Sequence, residues 1–341
     1  MKRWYLYPFS LIYGLVTDIR NLLYNWGIQK STKFKTPIIN VGNLSVGGSG
    51  KSPMVMYLAE LLSKNLRTGV LSRGYGRVSK GYGITNYESN YKTVGDEAMQ
   101  LFERFKNRFV IGVSEERVPG AKKIISDMDL DVLILDDAFQ HRAIKAGFNI
   151  LMTDYNDPYF KDFILPAGNL RESRTNAKRA DIIMVSKCPD NLTEEQKQFF
   201  ISRIKPKDYQ KVFFSSISYD EHVYSFNKKL PDNNLAYYDI LLVTGIANPK
   251  PLTEHLAKFS KKVKHLKFRD HYNFTESDIK NILTEYKKLG EYKMILTTEK
   301  DYVRLKTFDQ LKELVFYWPI NVNIDNKEKF NKIILDYAQQ N

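Results

Sequence analysis

Cysteine is almost absent: Cys188 is the only one in 341 residues. That excludes a disulfide framework and a multi-thiolate metal site, and suits a reducing compartment. Histidine is sparse as well, with five in the chain, so each can be weighed singly as an acid–base candidate. There is no uninterrupted apolar run of membrane-spanning length. The N-terminal stretch "MKRWYLYPFSLIYGLVTDIRNLLYNWG" starts basic and turns apolar, but Asp18 and Arg20 break it and no A-x-A-like cleavage site follows. A bilayer span wants about 20 mostly apolar residues, and this stretch falls short. Internal repeats, low-complexity tracts and nucleic-acid fold signatures are also missing. Acidic side chains are in deficit, 39 against 52 Lys and Arg, for a formal charge of +13. Such a balance points to an anionic partner: nucleic acid, an acidic membrane surface or a phosphorylated substrate.

What is present suffices for a globular core. Hydrophobic residues make up 43% of the chain, and a prior of about 150 residues per domain suggests two domains. Read as a helix from near Pro8, the N-terminal stretch puts Ile12, Leu15, Val16, Ile19, Leu22, Leu23 and Trp26 on one face. Trp4, Tyr5, Tyr7, Tyr13 and Tyr24 are side chains that favour a membrane–water boundary, and Lys30, Lys33 and Lys35 lie just beyond. Two readings follow: a helix lying in one leaflet, or an amphipathic helix packed on the domain.

The segment "NVGNLSVGGSGKSP" comes close to the phosphate-loop pattern G-x-x-x-x-G-K-[ST], with Ser45 in place of the first glycine. It follows the β-rich "TPIINVGNL". It precedes "SPMVMYLAELLSKNLRTG", a helix with Leu58, Leu61 and Leu62 on one face and Gly69 as its stop. Strand, loop and helix in that order aim backbone N–H groups and a helix N-terminus at one spot. Ser45, Val46, Gly47, Gly48, Ser49, Gly50, Lys51 and Ser52 therefore form the candidate cradle. Lys51 would reach the β- and γ-phosphates, and the Ser52 hydroxyl would meet magnesium. Serine at position 45 is tolerable if its φ is negative.

Downstream, "DLDVLILDDAFQHR" runs four β-formers into Asp136 and Asp137, a Walker B arrangement whose acids can hold magnesium. The guanine reader N-K-x-D has no counterpart. "IIMVSKCPD" offers Ser186-Lys187 with Asp190 one residue too late, so ATP is favoured over GTP. In "TVGDEAMQLF", Asp96 and Glu97 open a helix, where acids commonly cap. A kinase also needs a carboxylate to orient and deprotonate an alcohol, and a strand-to-helix junction lines the cleft of a parallel sheet. Asp96 is the candidate.

Eight motifs in order, "VGNLSVGGSGKSP", "LSRGYGR", "VGDEA", "LDDAFQHR", "LPAGNLRE", "GIANP", "FRDHYNF" and "TTEKD", resemble the tetraacyldisaccharide 4'-kinase family from roughly Leu6 to Arg304. The resemblance implies transfer of the ATP γ-phosphate to the 4'-hydroxyl of tetraacyldisaccharide 1-phosphate, the lipid A disaccharide. It places the chain peripherally on the cytoplasmic side of the inner membrane, with no obligatory protein partner. That family writes its loop with Ser or Thr at the position of Ser45. Tyr272 stands where a second histidine is frequent. Carried over, the resemblance makes Asp96 the base and His271 its partner. Glu97 joins Ser52, Asp136 and Asp137 as a candidate magnesium ligand. Arg171 and Glu172 of "NLRE" would lie near phosphates, magnesium or substrate, or else form a surface pair. His141 would face nucleotide or substrate, or serve structure. His222, His255 and His265 are read as surface residues.

The expected fold is α/β: a P-loop NTPase-like, mostly parallel sheet with helices on both faces, plus a smaller C-terminal α/β lobe. The expected parts are an interfacial helix over 1–27, a kinase core over 28–206, a β linker over 207–237 and a lid lobe over 238–341. The linker is read as a hairpin of "KVFFSSISY" and "HVYSFNKKL". Asp96 and His271 fall in different lobes, so lobe closure is expected to assemble the pair. The run "KFSKKVKHLKFR" faces either solvent or anionic lipid and the substrate's 1-phosphate. From residues alone, three functions remain open: a membrane-bound lipid kinase, a soluble P-loop kinase of a polar metabolite, and a nucleotide-dependent switch or assembly factor.

Overall fold

The computed structural model describes residues 3–260 and 262–340. Met1 and Lys2 of the N-terminal segment, Lys261 of the lysine run and Asn341 lie outside the described residues. The chain opens with α1 (Tyr7–Asn25), β1 (Ile38–Asn43), α2 (Lys51–Leu62), β2 (Thr68–Ser72), β3 (Gly83–Ile84), the single turn α3 (Tyr91–Val94) and α4 (Asp96–Phe105). It continues through β4 (Val110–Val113), α5 (Arg117–Met128), β5 (Val132–Asp136), β6 (Phe148–Asp154), β7 (Ile182–Ser186), α6 (Glu194–Ile204) and β8 (Lys211–Tyr219). Next come β9 (His222–Tyr224), β10 (Lys229–Pro231), β11 (Asp239–Thr244), α7 (Lys250–Leu256), β12 (Val263–Lys267) and α8 (Glu276–Lys287). The last elements are β13 (Lys293–Thr298), α9 (Glu299–Leu305), β14 (Val315–Trp318), β15 (Ile320–Ile324) and α10 (Lys327–Ala338).

Two sheets organise the molecule. The larger has nine strands in the order β15-β8-β7-β6-β1-β5-β2-β4-β3, parallel except for β3 and β15 at its edges. Its central strands are apolar runs buried on both faces, as parallel sheets require. The two-residue period divides them between two cores. Ile39, Val41 and Ile134 pack with Met54, Val55 and Leu58 of α2. Ile38, Leu133 and Leu135 pack with Ala121 and Ile124 of α5 on the other face. The smaller sheet has six strands, β10-β9-β14-β13-β11-β12, of which β11 to β14 are parallel. The expected α/β class is the observed one.

Several boundaries differ from the sequence reading. Helix α2 stops at Leu62, where Leu66 N–H closes a turn on the Leu62 carbonyl at 3.0 Å, and Gly69 lies inside β2. The segment over 207–237 does not form one hairpin: β8 extends the large sheet alongside β7, and β9 pairs with β10 and β14 in the small one. Strand β15 then returns to cover the outer edge of β8. Helix α10 follows it, seating Phe330, Ile334 and Ala338 in the core of the first lobe. Covering that edge satisfies backbone groups that an open strand would leave unpaired.

Helix α1 lies on the surface with its apolar side outward. Ser10, Gly14 and Asn21 are its buried residues, while Ile12, Leu15 and Val16 are at least 60% exposed. Packing through the apolar face is thereby excluded. The polar side is tethered instead: buried Glu172 accepts from Asn21 Nδ2 at 3.0 Å and Gln140 Nε2 at 2.8 Å, and pairs with Arg179 at 2.6 Å. Ser10 Oγ accepts from the Ala167 N–H at 3.0 Å. Among the described residues, no helix is long and apolar enough to cross a membrane.

Removing Glu172 would strand a largely buried Arg179 cation. Glu172→Ala should therefore cost about 3 kcal/mol in urea unfolding, and limited proteolysis should cut within α1 sooner than in the unaltered chain.

Candidate active site

Strand β1 sits between β5 and β6, and the loop leaving its C-terminal end lies where parallel sheets place their ligands. Ser45 has no left-handed φ; that conformation falls on Gly47 (φ 107°) and on Gly50 (φ 79°), the N-cap of α2. An L side chain at position 50 would be strained. Side-chain space beside Gly47 and Gly48 is open, as a phosphate cradle needs. The loop is pinned from three sides. Val46 N–H donates to the Asn169 carbonyl at 2.8 Å, Ser186 Oγ donates to the Ser49 carbonyl at 2.8 Å, and Lys187 Nζ reaches the Gly48 carbonyl.

At the end of β5 the two acids part company. Asp137, with a left-handed φ of 49°, takes a forked bond from Arg171 at 2.8 and 3.3 Å and lies 3.9 Å from Lys51 Nζ. These cations hold its carboxyl below the usual range although burial opposes them. Asp136 is buried, and its backbone carbonyl accepts from Arg117 at 2.8 Å. Burial and the Asp137 charge push the Asp136 carboxyl up. Glu97 is raised too, by burial and then by Asp136 and Asp96. Two buried acids that resist joint ionisation fit a cation placed between them. Among the described residues there is no complete cage of three or more acid, histidine or cysteine ligands. Magnesium typically uses one or two carboxylates and takes its other ligands from phosphates and water, so this donor set fits it.

The second cluster joins the lobes. Asp96 opens α4, and its Oδ1 accepts the Glu97 N–H at 3.0 Å. Its Oδ2 lies 2.8 Å from His271 Nδ1 and is also bound by Arg304 Nη2. Lys300 Nζ stands 2.8 Å from His271 Nε2 and 4.0 Å from Asp96 Oδ2. Burial alone would raise the Asp96 carboxyl, but the His271 hydrogen bond with Lys300 and Arg304 brings it down to about 2. Thr298 caps α9 by accepting the Asp301 N–H at 3.1 Å, and the helical period puts Lys300 and Arg304 on one face. His271 has a left-handed φ of 54°, its N–H donates to the Gly245 carbonyl at 3.1 Å, and Tyr75 meets its ring edge-on at 5.2 Å. Asp137, Lys187 and His271 thus all carry rare backbone geometry at the site, as functional residues often do.

A family model described as "LpxK: Tetraacyldisaccharide-1-P 4'-kinase" matches residues 2–339. The chain belongs to the tetraacyldisaccharide 4'-kinase family. A Flavobacterium johnsoniae relative named tetraacyldisaccharide 4'-kinase is 43% identical, with 98% of this chain and 97% of the relative covered. A Bacteroides thetaiotaomicron protein of the same name is 40% identical, over 100% of this chain and 94% of its own. Among solved structures, the "apo" form of LpxK from Aquifex aeolicus in complex with ATP superposes with a TM-score of 0.78. It is 31% identical, with 98% of both chains covered.

In this kinase-family chain the loop from Ser45 to Ser52, Lys51, Asp136, Asp137 and Glu97 gather at one end of the large sheet. Asp96 and His271 meet beside them. Arg171 bonds Asp137 and the Asn43 carbonyl at the site, and Glu172 tethers α1. His141 is half-buried, and burial with the Arg117 and Arg73 charges lowers it to about 4. It lines a cavity of about 750 Å³ beside the end of α1 together with Arg142 and Arg179. The other histidines are less exposed than their sequence context suggests. His255 stacks on Tyr219 at 4.2 Å, His265 Nε2 bonds Thr244 Oγ1 at 2.8 Å, and His222 sits 3.6 Å from Asp220. In the lysine run, Lys262 and Lys264 pair with Asp239 and Glu285 along the edge strand β12. The sequence reading gave no role to Lys300, Arg304, Tyr75, Arg117 or Lys187. For the first two, the signal was a Lys and an Arg four apart on a capped helix.

Asp96 ionises more readily folded than unfolded, so its contribution is present above the unfolded value near 4 and is lost as pH falls toward 2. The urea-unfolding advantage of the unaltered chain over Asp96→Asn should therefore be about 2 kcal/mol at pH 7. It should shrink steadily below pH 4; an advantage independent of pH would contradict the assigned ion pairs.

Proposed function

We propose that this chain transfers the γ-phosphoryl group of ATP to the 4'-hydroxyl of tetraacyldisaccharide 1-phosphate, forming lipid IVA in lipid A biosynthesis. The observation that carries the reading is the Asp96–His271 pair, contributed by two lobes and set next to Glu97, which feels the charges of Lys51 and Asp136. Loop N–H groups and Lys51 hold the phosphates. Asp96 accepts a hydrogen bond from the sugar hydroxyl and aims its oxygen at the γ-phosphorus. As the new O–P bond forms and the bond to the β–γ bridging oxygen breaks, ADP leaves and the hydroxyl proton passes to Asp96. A carboxylate held near 2 is a weak base and a strong orienting acceptor. That suits a loose transition state, in which catalysis is chiefly positioning and charge stabilisation. Magnesium, when bound, neutralises β- and γ-phosphate charge; Ser52, Asp136 and Glu97 would hold it, while Asp137 orients Lys51 and Arg171.

Helix α1 supplies the second half of the proposal. Its uncovered apolar side, with Trp4, Tyr5, Phe9 and Trp26 exposed, suits burial in the cytoplasmic leaflet of the inner membrane, where a lipid substrate resides. The polar tether through Glu172 would keep the helix parallel to the membrane surface.

Incubation with ATP and the disaccharide 1-phosphate should add one phosphate, read by mass; no added mass would refute the assignment. Asp96→Ala and His271→Ala should each cut kcat by ~10²–10⁴, and the double variant should lose far less than the product. Near-normal turnover in Asp96→Ala would remove it as the base. For the membrane, Ile12→Glu with Val16→Glu should abolish flotation with anionic phospholipid vesicles and leave thermal stability unchanged. Undiminished flotation would sink the interfacial helix.

A further inference from the structure

We propose that Lys300 is a positioning residue that fixes the proton of His271 on Nδ1, the ring nitrogen facing Asp96. The inference rests on the reading of Asp96 and His271 as the working pair and adds a third group from the second lobe.

Lys300 Nζ lies 2.8 Å from His271 Nε2. An ammonium carries hydrogens and no lone pair, so the ring nitrogen facing it must accept. In an imidazole with one proton, that proton then sits on Nδ1. There it points at Asp96 Oδ2, 2.8 Å away. Arg304 Nη2 is 3.3 Å from the same Nδ1, farther than the 2.8 Å of Asp96 Oδ2. The carboxylate can only accept, so the closer contact makes Nδ1 the donor, and Arg304 Nη2 gives a hydrogen to Asp96 Oδ2. Unassisted imidazole in water prefers no such fixed arrangement, and the hydrogen bond made by one nitrogen sets the role of the other.

Position and support favour this role over a bare surface charge. Lys300 stands on the first turn of α9, whose cap at Thr298 and buried Arg304 lock the helix against α4. Asp270 Oδ1 lies 3.7 Å from the ammonium and gives it a second anionic neighbour. The Tyr75 ring packs against the imidazole at 5.2 Å between centroids. A ring held in one tautomer leaves Asp96 Oδ2 fully engaged, so that Oδ1 is the oxygen left to meet the sugar hydroxyl.

The test uses the full-length kinase. Long-range proton–nitrogen spectra of the histidine side chains, with His271 assigned by its loss in His271→Asn, should show Nδ1–H in the unaltered chain and a mixture in Lys300→Met. In the kinase assay, Lys300→Met should lower kcat by ~10–100-fold, the scale of a lost orienting contact, with KM for ATP within about twofold. Lys300→Arg, also a pure donor, should recover most of the turnover. The Lys300 side chain is 22% exposed, so methionine fits without burying a new charge. An Nε2–H ring in the unaltered chain overturns the proposal by itself. So does near-normal kcat in Lys300→Met. A raised KM for ATP with unchanged kcat would place Lys300 on the nucleotide instead. If the unaltered chain transfers no phosphate at all, the kinase reading fails, whichever tautomer His271 shows.

Discussion

One buried carboxylate holds the architecture of the site together. Asp96 is nearly inaccessible to water, and an ion in that position is tolerated only when it is paired and hydrogen-bonded. Its compensation comes from Arg304, Lys300 and His271, all in the second lobe. The helices that carry these groups therefore have to meet. Further polar contacts follow along the same seam: Arg104 with Glu299 at 3.1 Å, Gln100 with Glu299 at 3.4 Å, and Glu103 with Lys306. The lobes are registered by charge compensation together with apolar packing, for Val303 of α9 sits in the core of the first lobe. The Asp96–His271 pair is a direct product of that registration, and it is already assembled in the structure without further closure.

The same device recurs elsewhere. Asp137 ties the phosphate-loop lysine to Arg171, which in turn donates to the Asn43 carbonyl at the end of β1. Glu172 ties α1 to the large sheet through Asn21, Gln140 and Arg179. Each of these acids joins elements that local sequence would leave independent. A polar joint also explains how α1 can turn its apolar side outward. The helix gives up hydrophobic burial against the protein and recovers it only against an apolar partner, which in this reading is the lipid leaflet. Active-site acidity and the outward turn of the apolar side of α1 thus share one physical basis, the avoidance of unpaired buried charge.

Much of the nucleotide end was legible in the chain because its signals are local. A β-rich run, a glycine loop and a lysine at a helix start are patterns set by backbone hydrogen bonding within about a dozen residues. The same holds for Val132 to Asp136 as a buried strand and for Asp96 at a helix N-terminus. Partnership was harder to read. The β8 run and the β9 run look like a hairpin because alternation marks strands without saying which edge they join. An amphipathic α1 predicts that one side is buried, and the pattern does not say in what.

By itself, then, the order of residues determined the α/β class, the glycine loop between β1 and α2, the acids at the strand ends and membership in a kinase family. Tertiary structure decided which side of α1 faces outward, which lobe receives β15 and α10, and that Lys300 and Arg304 surround the Asp96–His271 pair. The reason lies in range. Helices, strands and caps are written in neighbouring residues, whereas the Arg304–Asp96 bond spans 208 positions. Nothing in either local segment encodes such a bond; it exists because folding leaves a buried negative charge within reach of Arg304 and Lys300.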